Sequence, residues 1–163
     1  MTPAATVSLR EITPENRAAV EALVVDQAQS EYVAGVAESL AEAAELPDAR
    51  PWYRAVYAGD TPVGFVLISD GITVDNPEYL GPYFLWRLLV DRQHQGRGFG
   101  AAALAGVVDH LRTSRPDARV LLTSVSNEGR GSASPLGFYL RQGFRSTGRI
   151  HQGELVLELD LVP

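Results

Sequence analysis

Apolar and polar residues alternate over residues 7–12, which predicts a first strand. Thr13-Pro14-Glu15 reads as a helix start: a capping residue, then a proline whose fixed φ suits the first helical position. That helix is predicted to run through Leu23. Over residues 33–44 the spacing changes to threes and fours. Val33, Ala37, Leu40 and Ala44 form the apolar stripe of a second helix, with Glu31, Glu38, Glu42 and Glu45 away from it. Pro47 and Pro51 end it. Residues 53–57 and 63–68, joined by Ala58-Gly59-Asp60-Thr61, predict a hairpin. Residues 70–82 hold Gly, Asn and Pro and predict a loop. A buried strand is expected over 83–90, a helix over 98–114 and a strand over 120–125. A polar, glycine-bearing loop over 126–134 leads to a short helix over 135–142, stopped by Gly143. Residues 144–150 and 154–161, around His151-Gln152-Gly153, predict a final hairpin. The order is mixed α and β around one sheet, without regular β-α-β alternation.

With 163 residues, 45% of them hydrophobic and 21% charged, the chain is expected to form one domain spanning 1–163 with a sizeable core. No apolar run approaches the roughly 20 residues that cross a bilayer. The segment Met1-Thr2-Pro3-Ala4-Ala5 does not read as a secretory signal. There are 0 cysteines, hence no disulfide framework or thiolate metal site, which fits a cytoplasmic protein without a membrane partner. The net charge of −6 argues against a nucleic-acid partner. All 14 basic residues are arginine. Without lysine, a P-loop of the G-x-x-x-x-G-K-[ST] type and Schiff-base chemistry are both excluded.

Gln95-Gly96-Arg97-Gly98-Phe99-Gly100 joins the buried strand to the longest helix. Glycines there leave backbone N–H groups unshielded at a helix N-terminus, where aligned peptide dipoles favour an anion. Arg92 and Arg97 add positive charge, so a phosphate or pyrophosphate is the natural guest. Gly96-x-Gly98-x-x-Ala101 also matches a dinucleotide fingerprint in form. That fingerprint expects to open a first β-α-β unit, with an acidic residue ending the next strand. Here Asp117 precedes the next strand, and several elements lie upstream.

A second motif accompanies the first: Phe138-Tyr139-Leu140-Arg141-Gln142-Gly143-Phe144. Together with Leu88-Leu89-Val90-Asp91 and the glycine run, it resembles the GNAT superfamily of acyl-CoA-dependent N-acetyltransferases. Gln95, Gly98 and Gly100 match the superfamily's pyrophosphate motif. Phe138, Tyr139, Gly143 and Phe144 match its later signature. The resemblance implies a single α/β domain whose mixed, mostly antiparallel sheet is flanked by helices and splayed between the strands of residues 88–90 and 120–125. It implies acetyl-CoA as cosubstrate, bound by Leu89, Val90, Gln95, Gly96, Arg97, Gly98, Phe99 and Gly100. The pantetheine arm would run along residues 88–90, with a backbone N–H near Leu89 or Val90 facing the thioester oxygen. The superfamily often has Asn seven residues before the tyrosine; this chain has Ser132 there and Asn127 upstream, and either suits the pantetheine contact. Tyr139 holds the position of the acid that protonates the leaving thiolate.

The stretches Gly131-Ser132-Ala133-Ser134-Pro135 and Tyr83-Phe84-Leu85-Trp86-Arg87 resemble the bacterial polyamine and diamine acetyltransferases. The resemblance thus points to a small amine acceptor, with Glu38 holding a distal ammonium and Tyr32 and Trp86 stacking on it. An amino acid, an aminoglycoside, a protein N-terminus or a non-catalytic acyl-CoA-binding role remain alternatives at this stage, and a homodimer is left open. His94, His110 and His151 show no metal-ligand spacing, so no metal is expected. His94 reads as a solvated loop residue and His110 as surface. Arg87, inside an apolar strand, needs a partner if buried.

Overall fold

The computed structural model describes residues 6–24, 35–126 and 135–162. Seven strands form one sheet: β1 (Ser8–Arg10), β2 (Pro51–Ala58), β3 (Thr61–Asp70), β4 (Tyr83–Val90), β5 (Val120–Ser126), β6 (Arg145–His151) and β7 (Glu154–Asp160). Their spatial order is β1-β2-β3-β4-β5-β7-β6. Every neighbouring pair is antiparallel except β4 and β5. Four helices flank the sheet: α1 (Arg17–Glu21), α2 (Val36–Glu45), α3 (Phe99–Ser114) and α4 (Leu136–Arg141).

The sheet is apolar on both faces, and β3 shows why. Its Val66 and Ile68 pack with Leu104, Val107 and Leu111 of α3. The intervening Phe65 and Leu67 pack with Val20 of α1 and with Val36 and Leu40 of α2. A strand covered on both sides reads as an unbroken apolar run, as residues 63–68 do.

Two irregularities in β4 shape everything that follows. Against β3, Leu67 pairs with Arg87 and Ile68 pairs with Leu85, so Trp86 is an extra residue, a β-bulge. Against β5, the only registered pair is Phe84 with Leu122. Beyond it the two parallel strands separate, the splay that the resemblance implies.

Three sequence expectations shift. The first helix begins at Arg17 rather than directly after Thr13. The Asn16 side chain accepts from Thr13 N at 2.7 Å and donates to Glu11 O at 3.1 Å, which holds residues 14–16 in a turn. The buried stripe of α2 is Val36, Ser39, Leu40 and Ala43; Ala37 and Ala44 are exposed, and Val33 lies outside the described residues. Ser39 is tolerated inside because its hydroxyl donates to Gly35 O at 2.8 Å. His110, expected at the surface, is clamped. Its ring stacks on Trp52 with centroids 4.1 Å apart, and its Nε2 donates to Asp70 Oδ2 at 3.1 Å. Arg115 Nε donates to the other carboxylate oxygen at 2.9 Å. Burial alone would raise the Asp70 carboxyl, but these two donors outweigh it and hold it below the usual carboxylate range. The cluster fastens the C-terminal end of α3 to the end of β3.

Candidate active site

Two clefts flank β4, one on each face. The first has a volume of about 530 Å³. Leu88 and Val90 of β4 form one side, residues 94–101 the rim, and Phe138 and Tyr139 of α4 the opposite wall. At the rim, Gly98 adopts φ 82°, ψ 8° and is the N-cap of α3, with no side chain capping the helix. The first N–H groups of a 16-residue helix therefore stay open toward the cleft mouth. At Gly100 a Cβ would stand 3.4 Å from the Phe138 ring and 3.6 Å from Val90 Cγ2, in ordinary van der Waals contact with both. Gln95 Nε2 donates to Val90 O at 3.0 Å, fastening the turn to the strand. Buried Asp91 accepts from Val24 N at 2.9 Å and from Gln93 N at 3.3 Å. Arg92 and Arg97 are exposed beside the rim.

His94 departs from expectation. It is half-buried and lines this cleft, with Nε2 4.0 Å from Asp91 Oδ2 and a buried Nδ1 that has no partner. A ring nitrogen taken out of water without a hydrogen bond is costly unless a ligand or water reaches it. Gly96, Gly98, Phe99 and Gly100, with Gln95 and Val90, are all among the residues lining the cleft; Leu89 instead turns to the α2 face.

Tyr139 lies at the inner end of the same cleft, only 8% exposed, with its ring 5.2 Å from those of Phe138 and Phe144. Its hydroxyl bonds Thr123, whose own hydroxyl donates to Leu85 O at 3.0 Å. Thr123 has spent its proton, so Tyr139 is the donor in that pair. Burial pushes the Tyr139 phenol up to about 12. The group is neutral at physiological pH.

The second cleft, of about 460 Å³, opens on the α2 face. It draws on Ser69 of β3, Trp86 and Arg87 at the bulge, Glu42 of α2, Glu78 in the loop after β3, Ser124 of β5, and His151 and Glu154 at the β6–β7 turn. Arg87 has the partner it needs: Nη2 donates to Glu42 Oε2 at 2.9 Å and Nη1 to Trp86 O at 3.0 Å. Ser124 Oγ donates to Glu154 Oε1 at 2.6 Å, and His151 Nε2 lies 3.2 Å from Glu78 O. Arg87 Nε and Ser69 Oγ are buried with no partner. Glu42 is neutralised by Arg87, which leaves Glu78 and Glu154 as surplus negative charge among the described lining residues.

The acceptor candidates read from the sequence divide here. Trp86 lines the second cleft. Glu38 is exposed one turn before Glu42 and is not among the lining residues. Tyr32, Asn127 and Ser132 lie outside the described residues. Glu42 falls outside the apolar stripe read from the sequence, and Glu78, Ser124 and Glu154 carry no sequence signal beyond polarity. Among the described residues, no group of three or more His, Cys, Asp or Glu is arranged to hold a metal ion, and no helix is long and apolar enough to cross a membrane.

A bulged, splayed central strand, a glycine turn opening a long helix and a tyrosine across the gap are the features that the resemblance to acyl-CoA-dependent N-acetyltransferases implies. The model of the acetyltransferase (GNAT) family matches residues 18–144, and the chain belongs to that family. It is 28% identical over 156 residues to the spermine/spermidine N(1)-acetyltransferase of Bacillus subtilis strain 168, covering 95% of this chain and 99% of that protein. Among solved structures it resembles aminoglycoside acetyltransferase AAC(6')-Ib in complex with acetyl-CoA, with a TM-score of 0.71 at 16% identity over 95% of this chain and 93% of that one. It also resembles the PaiA N-acetyltransferase of Thermoplasma acidophilum in complex with coenzyme A, with a TM-score of 0.66 at 13% identity over 95% and 99% of the two chains.

Proposed function

We propose that this enzyme transfers the acetyl group of acetyl-CoA to an amine of a polyamine, the α3-side cleft holding the donor and the α2-side cleft the acceptor. The observation that carries the polyamine assignment is the charge of the α2-side cleft, where Glu78 and Glu154 are left over once Glu42 has neutralised Arg87. A polycation matches that surplus, and the spermine/spermidine N(1)-acetyltransferase similarity points the same way.

The residues present fit the donor. The turn of residues 95–100 offers open helix N–H groups to a pyrophosphate, with Arg97 beside it. Gly100 keeps the wall between Val90 and Phe138 bare, where an added Cβ would meet both in ordinary contact. Along β4 the splay leaves the backbone of Leu88 and the N–H of Val90 without a β5 partner among the described residues, open to a pantetheine amide and, through Val90 N–H, to the thioester oxygen; Leu89 pairs with Phe65 of β3, and Val90 O is taken by Gln95. Tyr139 then supplies a proton to the departing sulfur. A free thiol has a pKa near 8.5 and a free alkylamine one near 10.4. The site therefore handles both a leaving anion and an ammonium that attacks only as its conjugate base.

A kcat/KM comparison tests the acceptor. Spermidine and spermine should exceed monoamines by about tenfold or more, the scale of one additional ion pair, and the advantage should shrink in high salt. An amino acid, an aminoglycoside or a peptide N-terminus at the head of that panel overturns the polyamine assignment.

A further inference from the structure

We propose that Glu154, oriented by Ser124, holds the attacking nitrogen of the acceptor and takes its proton as the C–N bond forms. The assignment rests on the donor and acceptor reading of the two clefts. Position is the first argument. The last registered contact between β4 and β5 is Phe84 with Leu122. Counting two residues along each strand from that pair puts Trp86 and Ser124 on the two lips of the splay, and both line the α2-side cleft. Ser124 donates to Glu154 Oε1 at 2.6 Å and so pins the carboxylate at the lip. The turn through Gln152 (φ 50°) and Gly153 (φ 82°) pairs His151 with Glu154, so the backbone is fixed as well.

Availability is the second argument. Glu42 is committed to Arg87, and Glu78 is exposed on its loop. Glu154 is half-buried, and no other described side chain bonds it, which leaves Oε2 for a ligand. A carboxylate placed there attracts an ammonium. The other charged groups around it are Arg87 and Glu42 across the cleft, Glu78 on the loop and His151 on its own turn.

The timing of the proton follows from magnitudes. A carboxylate with a reference pKa near 4.3 cannot hold the proton of an ammonium near 10.4 at equilibrium. The ammonium first gives up one proton to water through the open cleft; the work of Glu154 comes later, when the neutral amine attacks and its nitrogen becomes strongly acidic. At that point the N–H proton passes to Glu154, the C–N bond forms and the C–S bond breaks. The sulfur takes its proton from Tyr139. Afterwards Glu154 releases a proton to water through the open cleft and Tyr139 regains one. The sum is amine plus thioester giving amide plus thiol.

The test is steady-state turnover of spermidine with acetyl-CoA from acid to alkaline pH. Glu154→Gln should lower kcat by roughly 10²-fold, the usual scale for a positioned base, while the calorimetric Kd for acetyl-CoA stays within about twofold. It should also lose the acid limb of the kcat profile, and His151→Asn should keep that limb. Ser124→Ala should lower kcat several-fold at constant acetyl-CoA affinity, and Ser124→Thr should restore it. Wild-type kcat in Glu154→Gln, or an acid limb that vanishes only in His151→Asn, overturns the assignment. A wild-type enzyme that binds acetyl-CoA but turns over no polyamine overturns the acceptor reading beneath it, and is seen before any variant is made.

Discussion

The two clefts beside β4 are of similar size, about 530 and 460 Å³, yet they are built in opposite ways. The α3-side cleft takes its shape from two short stretches of chain, residues 94–101 and 138–142, with backbone N–H groups and glycines at its rim. The α2-side cleft is assembled from side chains of separate places along the chain, from Glu42 of α2 to Glu154 of β7. The first recognises by backbone and suits a ligand that is always the same. The second recognises by side-chain charge, which substitution can retune without touching the strand between them. On the proposed assignment this is a division of labour across one strand: a fixed donor side and an adjustable acceptor side, with the bulge at Trp86 between them.

The division can be broken most severely at Gly98. Gly98→Val forces a β-branched residue into a left-handed conformation at the helix N-cap. Acetyl-CoA affinity should fall by roughly 10²-fold or more, since the oriented N–H groups are lost along with the approach; calorimetry measures it. An unchanged Kd would mean that the donor does not bind at this turn.

Tyr139→Phe should come next, with kcat down by roughly 10²-fold and acetyl-CoA Kd little changed. Because the phenol lies at about 12, Tyr139 stays protonated through the working range and should contribute no alkaline limb there. Its titration shows in stability instead. The folded pKa is raised above the unfolded value near 10, so the contribution is complete below pH 10 and is lost as pH rises toward 12. Over that window the loss is ~2–3 kcal/mol. Urea midpoints should fall less steeply with alkaline pH in Tyr139→Phe than in the wild type.

A milder change separates the two sides. Glu42→Gln leaves the Arg87 charge unpaired in the acceptor cleft. The KM for spermidine should rise by about tenfold, roughly 1.4 kcal/mol, with less effect on a monoamine and none on acetyl-CoA binding. The smallest effect is expected at exposed Arg97. Arg97→Ala should weaken acetyl-CoA by only a few-fold, as an exposed charge does, and flatten its salt dependence.

The same contrast explains what could be read from the sequence. Residues 95–100 and 138–144 are contiguous, and their function lies in glycine placement and spacing, which a linear text preserves. The sheet elements were legible too, because β2 to β5 and β7 keep their apolar runs, and β6 is tied to β7 by the glycine turn between them. The acceptor side was not. The periodicity sets Glu42 away from the apolar stripe, because that stripe reads as phased on Ala37 and Ala44. The real phase includes Ser39, a polar residue made acceptable indoors by its bond to Gly35 O. Glu154 looked like the polar start of a last strand; only the pairing of β5 with β7 brings it to Ser124. His94 and His110 were read as solvent-facing because their neighbours in space, Asp91 with Phe99 and Asp70 with Trp52, come from packing rather than from periodicity.

The bulge at Trp86 has one more consequence. Leu85 and Leu88 face the α3 side, and Trp86 and Arg87, consecutive in the chain, both face α2. Removing Trp86 would thus leave every remaining β4 side chain on the face it already occupies. The shortened strand could continue its ladder with β3 unbroken, bury the same leucines and fold. What would change is the offset of residues 88–90 against β5, the stretch along which the two strands part. The bulge is one residue of surplus length, a feature that a single codon insertion or deletion could add or remove.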